Sequence, residues 1–166
     1  MEKNKYNYLN IHTYIKMSQH NKHNVYISGV FDLFHIGHMK LIQHVRQQFP
    51  GCTLIAGVHN DIDTSSYKRI PIMTMEERIN TLIISKLVDK IIPNAPLKET
   101  QEFYQKYQID ITAHAHSLDQ HQDYKNKSCP EAGNKLVRLE YTQGISTSDI
   151  ITRIKQRLKI EQKSSK

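Results

Sequence analysis

Long apolar runs and cysteine pairs are both missing from this sequence of 166 residues. A helix that crosses a bilayer needs about 18 consecutive apolar residues, and no run approaches that length, so a membrane-spanning chain is excluded. The first residues, Met-Glu-Lys-Asn-Lys-Tyr-Asn-Tyr, lack the apolar core of a signal peptide. Cys52 and Cys129 have neither a CxxC spacing nor the density of a disulfide scaffold. Together these absences predict a cytoplasmic protein with reduced thiols.

Apolar residues are scarcer than in an average globular chain, and much of the excess polarity lies at the two ends. Leu, Ile, Val and Phe still make up about a quarter of the chain, above the level of about 20% below which a folded core becomes doubtful. The length fits one domain. We therefore predict a polar N-terminal extension over 1–23, one folded domain over 24–160 and a polar tail over 161–166.

The formal charge of +7 predicts an anionic partner, which could be nucleic acid, a membrane surface or a phosphorylated small molecule. The basic residues are spread along the chain and gather in the tails with no aromatic stacking platform, so we predict no specific nucleic-acid binding. A basic amphipathic segment near the C-terminus could lie on a membrane. Its apolar stripe is more typical of a core, and we predict no stable membrane anchor. That stripe consists of Ile150, Ile151, Ile154 and Leu158.

Strand-type and helix-type segments alternate along the domain. Strands are predicted over 24–28, 53–58, 88–92, 109–113 and 136–139, and helices over 38–48, from 74, over 100–107 and from 146. Thr74-Met-Glu-Glu77 matches a capping box, and Ile79, Leu82 and Ile83 are expected to face inward. The alternation predicts an α/β domain with a five-stranded parallel sheet and helices on both faces. Such folds bind ligands at the carboxyl ends of their strands.

The first loop between a strand and a helix reads Gly29-Val-Phe-Asp-Leu-Phe-His-Ile-Gly-His38. Imidazoles three residues apart at a helix start can point the same way, and Gly37 lets a ligand approach the backbone closely. Amides at the helix N-terminus and the positive end of the helix dipole attract phosphate, with His35 and His38 as further donors. The loop therefore predicts a triphosphate site. The alternative is that the two histidines serve only the turn and the helix cap.

This loop resembles the H-x-G-H motif of the nucleotidyltransferase superfamily, and in particular that of the cytidylyltransferases that activate phosphocholine, phosphoethanolamine or glycerol 3-phosphate. Other segments are similar to later parts of that family, and the resemblance covers residues 25–154. These segments are Leu54–Asp61, Tyr67–Arg78, Val88–Asp89, Asn94–Pro96, Ile109–His114 and Gly144–Arg153. The resemblance implies a Rossmann-like nucleotidyltransferase fold, with 24–160 as the catalytic domain.

The resemblance also implies the reaction, in which CMP passes from CTP to a small phosphomonoester and pyrophosphate leaves. His35 and His38 would contact the triphosphate and stabilise charge at the α-phosphorus, and Lys68 would clamp it from the opposite loop. Mg²⁺ would accompany CTP without a dedicated protein site, and the chain would form a homodimer. The implied nucleotide contacts are Val30, Phe31, Asp32, Arg78, His114, Thr142, Gln143, Gly144, Ile145, Ser146, Thr147 and Ser148, with Lys86 as a further candidate.

Two departures from the family pattern concern charge. Tyr141 stands where the phosphocholine and phosphoethanolamine enzymes usually carry arginine, and Arg138 is a candidate replacement. Ala115 stands where an acidic residue usually faces the substrate, and Asp119 or Asp123 could take that role. Together with a third departure, Leu97, these changes keep open a catalytically weak or inactive nucleotide-binding protein of the same fold.

Single residues that differ between the phosphocholine and phosphoethanolamine branches of the family indicate the acceptor. Leu97 replaces the aromatic residue that a quaternary ammonium prefers, which disfavours phosphocholine. Ile36, His59 and Gln143 are similar to the phosphoethanolamine branch, so phosphoethanolamine is the favoured acceptor, with phosphocholine and glycerol 3-phosphate as alternatives.

Two other enzyme classes share part of the pattern. An adenylyltransferase of the same superfamily would have the same histidines, but the stretch Thr142–Asp149 has the cytidylyltransferase form. Class I aminoacyl-tRNA synthetases also carry His-Ile-Gly-His, but their second motif, which Lys16-Met-Ser-Gln19 resembles, should follow the first. The remaining histidines show no metal-ligand spacing, and we predict that they are surface residues. They are His12, His20, His23, His44 and His121.

Overall fold

The computed structural model describes residues 23–116 and 135–164. Strands and helices alternate through these ranges, with two helices between the second and third strands. The elements are β1 (Asn24–Gly29), α1 (Ile36–Gln48), β2 (Thr53–Val58), α2 (Asp61–Tyr67), α3 (Met75–Ser85), β3 (Lys90–Pro93), α4 (Gln101–Tyr107), β4 (Ile111–Ala115), β5 (Lys135–Leu139) and α5 (Thr147–Ser164). No helix within the described ranges is both long and apolar enough to cross a membrane.

The five strands form one parallel sheet in the order β3-β2-β1-β4-β5. β1 lies in the middle, where Val25 pairs with Leu54 of β2 on one side and with Ile111 of β4 on the other. The chain therefore adds strands first to one side of β1 and then to the other. The predicted α/β fold with a five-stranded parallel sheet is confirmed, and the boundary between β1 and β4 is the point at which such sheets bind ligands.

The side chains of β1 alternate between two apolar layers, because successive residues of a strand point to opposite faces. Val25 and Ile27 pack with residues of α1 and α3, whereas Tyr26 packs with residues of α4 on the other face. The first layer includes Ile42 and Val45 of α1 and Leu82 of α3. The second includes Ile55, Ile92, Tyr104 and Ile109. Helices therefore cover both faces of the sheet, as predicted.

Helix α3 begins at the predicted capping box. The Thr74 amide donates to Glu77 Oε2 over 2.8 Å, and the Glu77 amide donates to Thr74 Oγ1 over 3.3 Å. Leu82 is buried as expected, but Ile83 is 56% exposed. Consecutive helical residues point about 100° apart, and the inward face of α3 is already set by Arg78 and Leu82, so Ile83 turns outward.

Helix α2 was not predicted, because its sequence gives no apolar periodicity. Only Thr64 of its seven residues is buried. The helix is set instead by its start, where the side chain of Asn60 accepts a hydrogen bond from the Asp63 amide over 2.7 Å. Asp61 and Asp63 in the first turn complement the helix dipole. The N-cap residue and the two acidic side chains therefore specify this helix, which has no amphipathic pattern from which it could be predicted.

The predicted bounds were wrong at several other elements. β3 and β4 each begin two residues later than predicted, at Lys90 and Ile111. Before β4, the Ile109 amide donates to the Tyr104 carbonyl at the end of α4, so residue 109 still belongs to the helix cap. Helix α5 continues to Ser164, so residues 161–164 of the predicted tail are helical. Cys52 is a buried free thiol, and Cys129 lies outside the described residues.

The apolar stripe of α5 is not part of the core, contrary to our prediction. No side chain of this helix is buried, and the side chains of Ile154 and Leu158 are 50% and 52% exposed. Ile150 and Ile151 are half-buried near the start of the helix. Helical periodicity gives the direction of an apolar face but does not tell what packs against it.

Candidate active site

A cavity of about 710 Å³ opens at the carboxyl ends of β1 and β4. Its walls come from the loop after β1, the loop between α2 and α3, the end of β4 and the segment that leads into α5. These segments are far apart in sequence, and the parallel sheet brings them together because the carboxyl ends of its strands share one edge.

Most residues singled out from the sequence line this cavity. Those that do are Val30, Phe31, Asp32, His35, His38, Lys68, His114, Thr142, Ile145, Ser146, Thr147 and Ser148. The positions that depart from the family pattern, Leu97, Ala115 and Tyr141, line it too. Arg78, Gln143 and Gly144 do not, and neither do Lys86 and Arg138. Asp119 and Asp123 lie outside the described residues.

The loop after β1 holds an unusual backbone conformation. Phe31 and Leu33 have φ of +55° and +46°, values that are uncommon for residues other than glycine. The Phe31 side chain is buried in the core, and the Asp32 carboxylate accepts hydrogen bonds from the amides of Ile72 and Met73 over 3.1 and 3.0 Å. These contacts hold the strained loop in place and tie it to the loop between α2 and α3.

The two histidines of this loop cap α1 through one nitrogen each. The Gly37 amide donates to His35 Nδ1 over 3.1 Å, and the His35 amide donates to His38 Nδ1 over 3.3 Å. The two rings stack with their centroids 3.9 Å apart. A Cβ at Gly37 would lie 2.9 Å from the ring of His35, so this packing needs glycine there. The capping role considered from the sequence is therefore real, and it leaves both Nε2 atoms for another partner.

Both histidines are neutral in the folded protein. An Nδ1 that accepts a hydrogen bond carries no proton, so in each neutral ring the proton is on Nε2. Burial, and then the nearby His35 and Lys68, lower the pKa of His38 to about 3. Burial also lowers the pKa of His35. The pair therefore offers two N–H donors and no positive charge of its own.

Positive charge comes from the loop after α2. Lys68 directly follows that helix, and its Nζ lies 5.5 Å from the centre of the Tyr67 ring. Arg69, which the sequence did not single out, also lines the cavity. Its Nη1 donates to Ser148 Oγ over 3.0 Å, and its Nη2 lies 3.9 Å from Asp32 Oδ2. The guanidinium thereby links the first loop to the start of α5.

Arg78 supports the site from outside the cavity. Its side chain is fully buried and contacts the carbonyls of three separate residues. Nε donates to the Met73 carbonyl over 3.2 Å, Nη2 to the His59 carbonyl over 3.0 Å, and Nη1 to the Val30 carbonyl. Nη2 also pairs with the carboxylate of Asp61. Arg78 therefore holds three loops in register rather than facing the cavity.

The segment before α5 contributes hydroxyl groups and a second helix start. The Asp149 amide donates to Ser146 Oγ over 3.1 Å, and Thr147 Oγ1 donates to the Asp32 carbonyl over 2.9 Å. Ser146, Thr147 and Ser148 all line the cavity at the N-terminal end of this helix. Since α1 also begins at the cavity, two helix N-termini favour an anion there.

Several lining residues were not predicted as site residues from the sequence, although His59 was noted there for its similarity to the phosphoethanolamine branch. His59 is buried, and its Nδ1 lies 2.9 Å from the Ala95 carbonyl, to which it donates. Burial lowers the pKa of His59, so it too is neutral. Glu99 is 6% exposed and lines the cavity although it lies in an ordinary polar run, Lys98-Glu-Thr100. Ser28 and Thr112, from β1 and β4, complete this part of the wall.

Comparison with known proteins agrees with this arrangement. Residues 26–153 match the cytidylyltransferase-like family model. The chain is 42% identical over 134 residues to choline-phosphate cytidylyltransferase of Saccharomyces cerevisiae, covering 78% of this chain and 31% of that protein. It is 41% identical over 140 residues to choline-phosphate cytidylyltransferase 2 of Arabidopsis thaliana, covering 78% and 44%. A probable ethanolamine-phosphate cytidylyltransferase of Schizosaccharomyces pombe is 29% identical over 143 residues, covering 84% and 38%.

The chain therefore spans less than half the length of these curated relatives. Among solved structures, the lipopolysaccharide core biosynthesis protein of Thermoplasma volcanium GSS1 superposes with a TM-score of 0.59 at 21% identity, covering 74% of this chain and all of that one. That likeness concerns the fold alone. The family match over most of the chain, together with the cavity at the carboxyl ends of β1 and β4, identifies the chain as a member of the cytidylyltransferase-like family.

Proposed function

We propose that this chain is a cytidylyltransferase catalytic domain that transfers CMP from CTP to a small phosphomonoester. One observation carries the proposal: the stacked pair His35 and His38, with both Nε2–H groups available, shares a cavity with Lys68 and two helix N-termini. This set combines donors and positive charge without a nucleophilic side chain. It suits a triphosphate, whose transfer chemistry depends on positioning and charge stabilisation.

In the proposed reaction, a phosphate oxygen of the acceptor attacks the α-phosphorus of CTP. The bond between the α-phosphorus and its bridging oxygen to the β-phosphorus breaks, and pyrophosphate leaves with that electron pair. His35 and His38 donate from Nε2 to phosphate oxygens as charge develops, while Lys68 and Arg69 supply positive charge from the facing loop. Because the imidazoles are neutral, they act as hydrogen-bond donors and need no proton from solution. A preorganised donor of this type is worth about 3–4 kcal/mol.

Mg²⁺ enters this proposal as part of the Mg–CTP complex. Within residues 23–116 and 135–164 there is no group of three or more His, Cys, Asp or Glu side chains that could hold a metal ion. The Asp32 carboxylate already accepts two backbone amides. Phosphate oxygens and water therefore suit the ion better than protein ligands, as is usual for Mg²⁺ bound with nucleotides.

The favoured acceptor is phosphoethanolamine, with phosphocholine and glycerol 3-phosphate as alternatives. The relatives with higher identity are named for choline phosphate, and a less similar one for ethanolamine phosphate. Leu97 and Ala115 line the cavity, so the apolar replacements noted in the sequence are at the site itself. Leucine offers a quaternary ammonium no aromatic face, which supports a primary amine. A homodimer and a cytoplasmic location are further parts of the proposal.

Two alternatives remain, and the first follows from Tyr141, Ala115 and Leu97, which all line the cavity, with Tyr141 49% exposed. A phenol gives a phosphate one neutral donor in place of a guanidinium fork, so the protein could bind nucleotide with little or no catalysis. An adenylyltransferase would use the same phosphate groups and differ in the base pocket.

Pyrophosphate release tests the proposal. Mg–CTP and Mg–ATP are each incubated with phosphoethanolamine, phosphocholine and glycerol 3-phosphate. We expect release with CTP and phosphoethanolamine, reduced about a hundredfold or more in Lys68→Ala and in His38→Asn. His44→Asn is the matched control, because His44 lies on the same helix but does not line the cavity. Release only with ATP indicates an adenylyltransferase, and CTP binding without release from any pair indicates an inactive nucleotide-binding protein.

A further inference from the structure

The wall of the cavity contains few basic side chains. Of the described residues that line it, only Lys68 and Arg69 are lysine or arginine. Tyr141, which stands where the family usually carries arginine, offers a phenol instead. Arg138, the replacement considered from the sequence, does not line the cavity, and its Nη1 donates to the His116 carbonyl over 3.2 Å. Within the described wall, a guanidinium for the triphosphate therefore comes from Arg69.

Two contacts hold the Arg69 side chain and leave most of its guanidinium for a ligand. Nη1 donates to Ser148 Oγ over 3.0 Å, which is a neutral partner. Nη2 lies 3.9 Å from Asp32 Oδ2, too far for a hydrogen bond, and that carboxylate accepts the amides of Ile72 and Met73. A guanidinium has five N–H donors, and this side chain is 39% exposed. Among the described residues, these partners therefore orient the guanidinium without using all of its donors.

The partners of Arg69 belong to the segments that the proposed function assigns to the triphosphate. Ser148 lies in the first turn of α5, whose N-terminal end lines the cavity. Asp32 lies in the same loop as His35 and His38. Arg69 itself lines the cavity between these two segments in its contacts. A triphosphate bound by the imidazoles and the start of α5 therefore lies in the same cavity as a side chain that can donate to two phosphate oxygens at once.

We propose that Arg69 binds a phosphate group of CTP and takes the place of the arginine that is missing at position 141. This inference rests on the proposed function, since it assigns a ligand contact in the same cavity. Two parallel N–H···O bonds from one guanidinium fix the position and the orientation of a phosphate, whereas an ammonium acts as a point charge. Tyr141 then leaves the site with its guanidinium, because the facing loop provides one. Arg69 is therefore a nucleotide-binding residue.

Binding of Mg–CTP and of cytidine to the full chain tests this contact, with no acceptor present so that no transfer occurs. Calorimetry measures the affinity for CTP, and NMR titration measures that for cytidine. We expect Arg69→Gln to weaken CTP binding about 10- to 100-fold, as for hydrogen bonds to a charged group, and cytidine binding by less than about threefold. Arg153→Gln is the matched control, because it removes the same charge from an exposed side chain of α5 that does not line the cavity.

Unchanged CTP binding in Arg69→Gln overturns the inference, and so does an equal loss in Arg153→Gln. Equal weakening of CTP and cytidine also overturns it, because Arg69 would then only hold the start of α5 in place.

Tyr141→Arg tests whether the two positions serve the same purpose. It should improve CTP binding more in the Arg69→Gln background than in wild type, by at least about threefold, because wild type already has a guanidinium in the cavity. An equal change in both backgrounds overturns the replacement of one arginine by the other. Failure of the proposed function is distinct, because it appears as no pyrophosphate release from CTP with any acceptor, whatever the binding ratios.

Discussion

Acidification should weaken the fold through His38, because this imidazole is neutral in the native state. Burial, and then His35 and Lys68, lower the pKa of His38 to about 3, whereas histidine in an unfolded chain has a pKa of about 6.5. Between these two values the unfolded chain binds a proton that the folded chain does not. The contribution of His38 to stability is therefore fully present above pH 6.5 and is lost progressively as the pH falls below it.

The size of the effect follows from the distance between the measuring pH and the unfolded pKa. One pKa unit corresponds to about 1.4 kcal/mol, so at pH 5 the unfolded chain gains about 2 kcal/mol from protonation of this residue. The pKa values of His35 and His59 are also lowered by burial, and both shifts act in the same direction. On acidification to pH 5, the histidines should therefore lower the free energy of unfolding of the wild-type protein by at least the amount due to His38 alone.

Urea unfolding at pH 7.5 and pH 5.0 measures this effect, with His38→Asn as the comparison because asparagine does not titrate there. Carboxylates and the histidines away from this stacked pair change alike in both proteins, so the difference between the two pH dependences reports His38 together with any change it causes in His35. We expect wild type to lose about 2 kcal/mol more than the variant between the two pH values. Equal losses in the two proteins would refute the conclusion that His38 is neutral and buried.

Two substitutions test how the loops around the cavity are held, and a third tests the packing between β1 and β2. Arg78→Met should lower the free energy of unfolding by about 3–5 kcal/mol in urea titrations, since it removes a buried guanidinium that contacts three carbonyls and Asp61; a loss below 1 kcal/mol would contradict this role. Asp32→Ala should cost about 2–4 kcal/mol by the same measurement, because two backbone amides lose their acceptor, and an unchanged midpoint would contradict it. Gly57→Ala should lower the melting temperature, because its Cβ would lie 2.1 Å from Tyr26 Oη and 2.7 Å from two carbons of that ring. The same substitution should cost less in a Tyr26→Ala background, where the whole ring is gone, and an equal cost in both backgrounds would exclude that clash as the cause.

Much of the fold follows from the sequence because parallel strands that are buried on both faces form short apolar runs between helical segments. Leu54–Val58 is such a run, and the capping box at Thr74 marks the next long helix. Helix α2 was not predicted, because it is set by its N-cap residue and buries only Thr64, so it has no apolar periodicity. The apolar stripe of α5 was wrongly predicted to be part of the core, because periodicity does not tell whether another surface covers an apolar face.

The site was predictable where one local segment carries the chemistry. The loop from Gly29 to His38 contains both imidazoles and the helix start, so sequence spacing alone indicated an anion site. Arg69 and Glu99 lacked such a signal, because each lies in a polar run and reaches the cavity only through the packing of the sheet and its loops. The role of Arg78 was also hidden, since a conventional basic residue in a helix gives no sign that its guanidinium is buried.

The proposed reaction forms a bond between an acceptor phosphate and the α-phosphorus of CTP. Phosphorus NMR of Mg–CTP with phosphoethanolamine follows that bond directly, because a CDP ester and pyrophosphate give distinct diphosphate signals. We expect both products to appear in equal amounts with wild type and neither with Lys68→Ala over the same time. Release of CDP and inorganic phosphate, or CTP left unchanged while it binds, would contradict the proposed reaction.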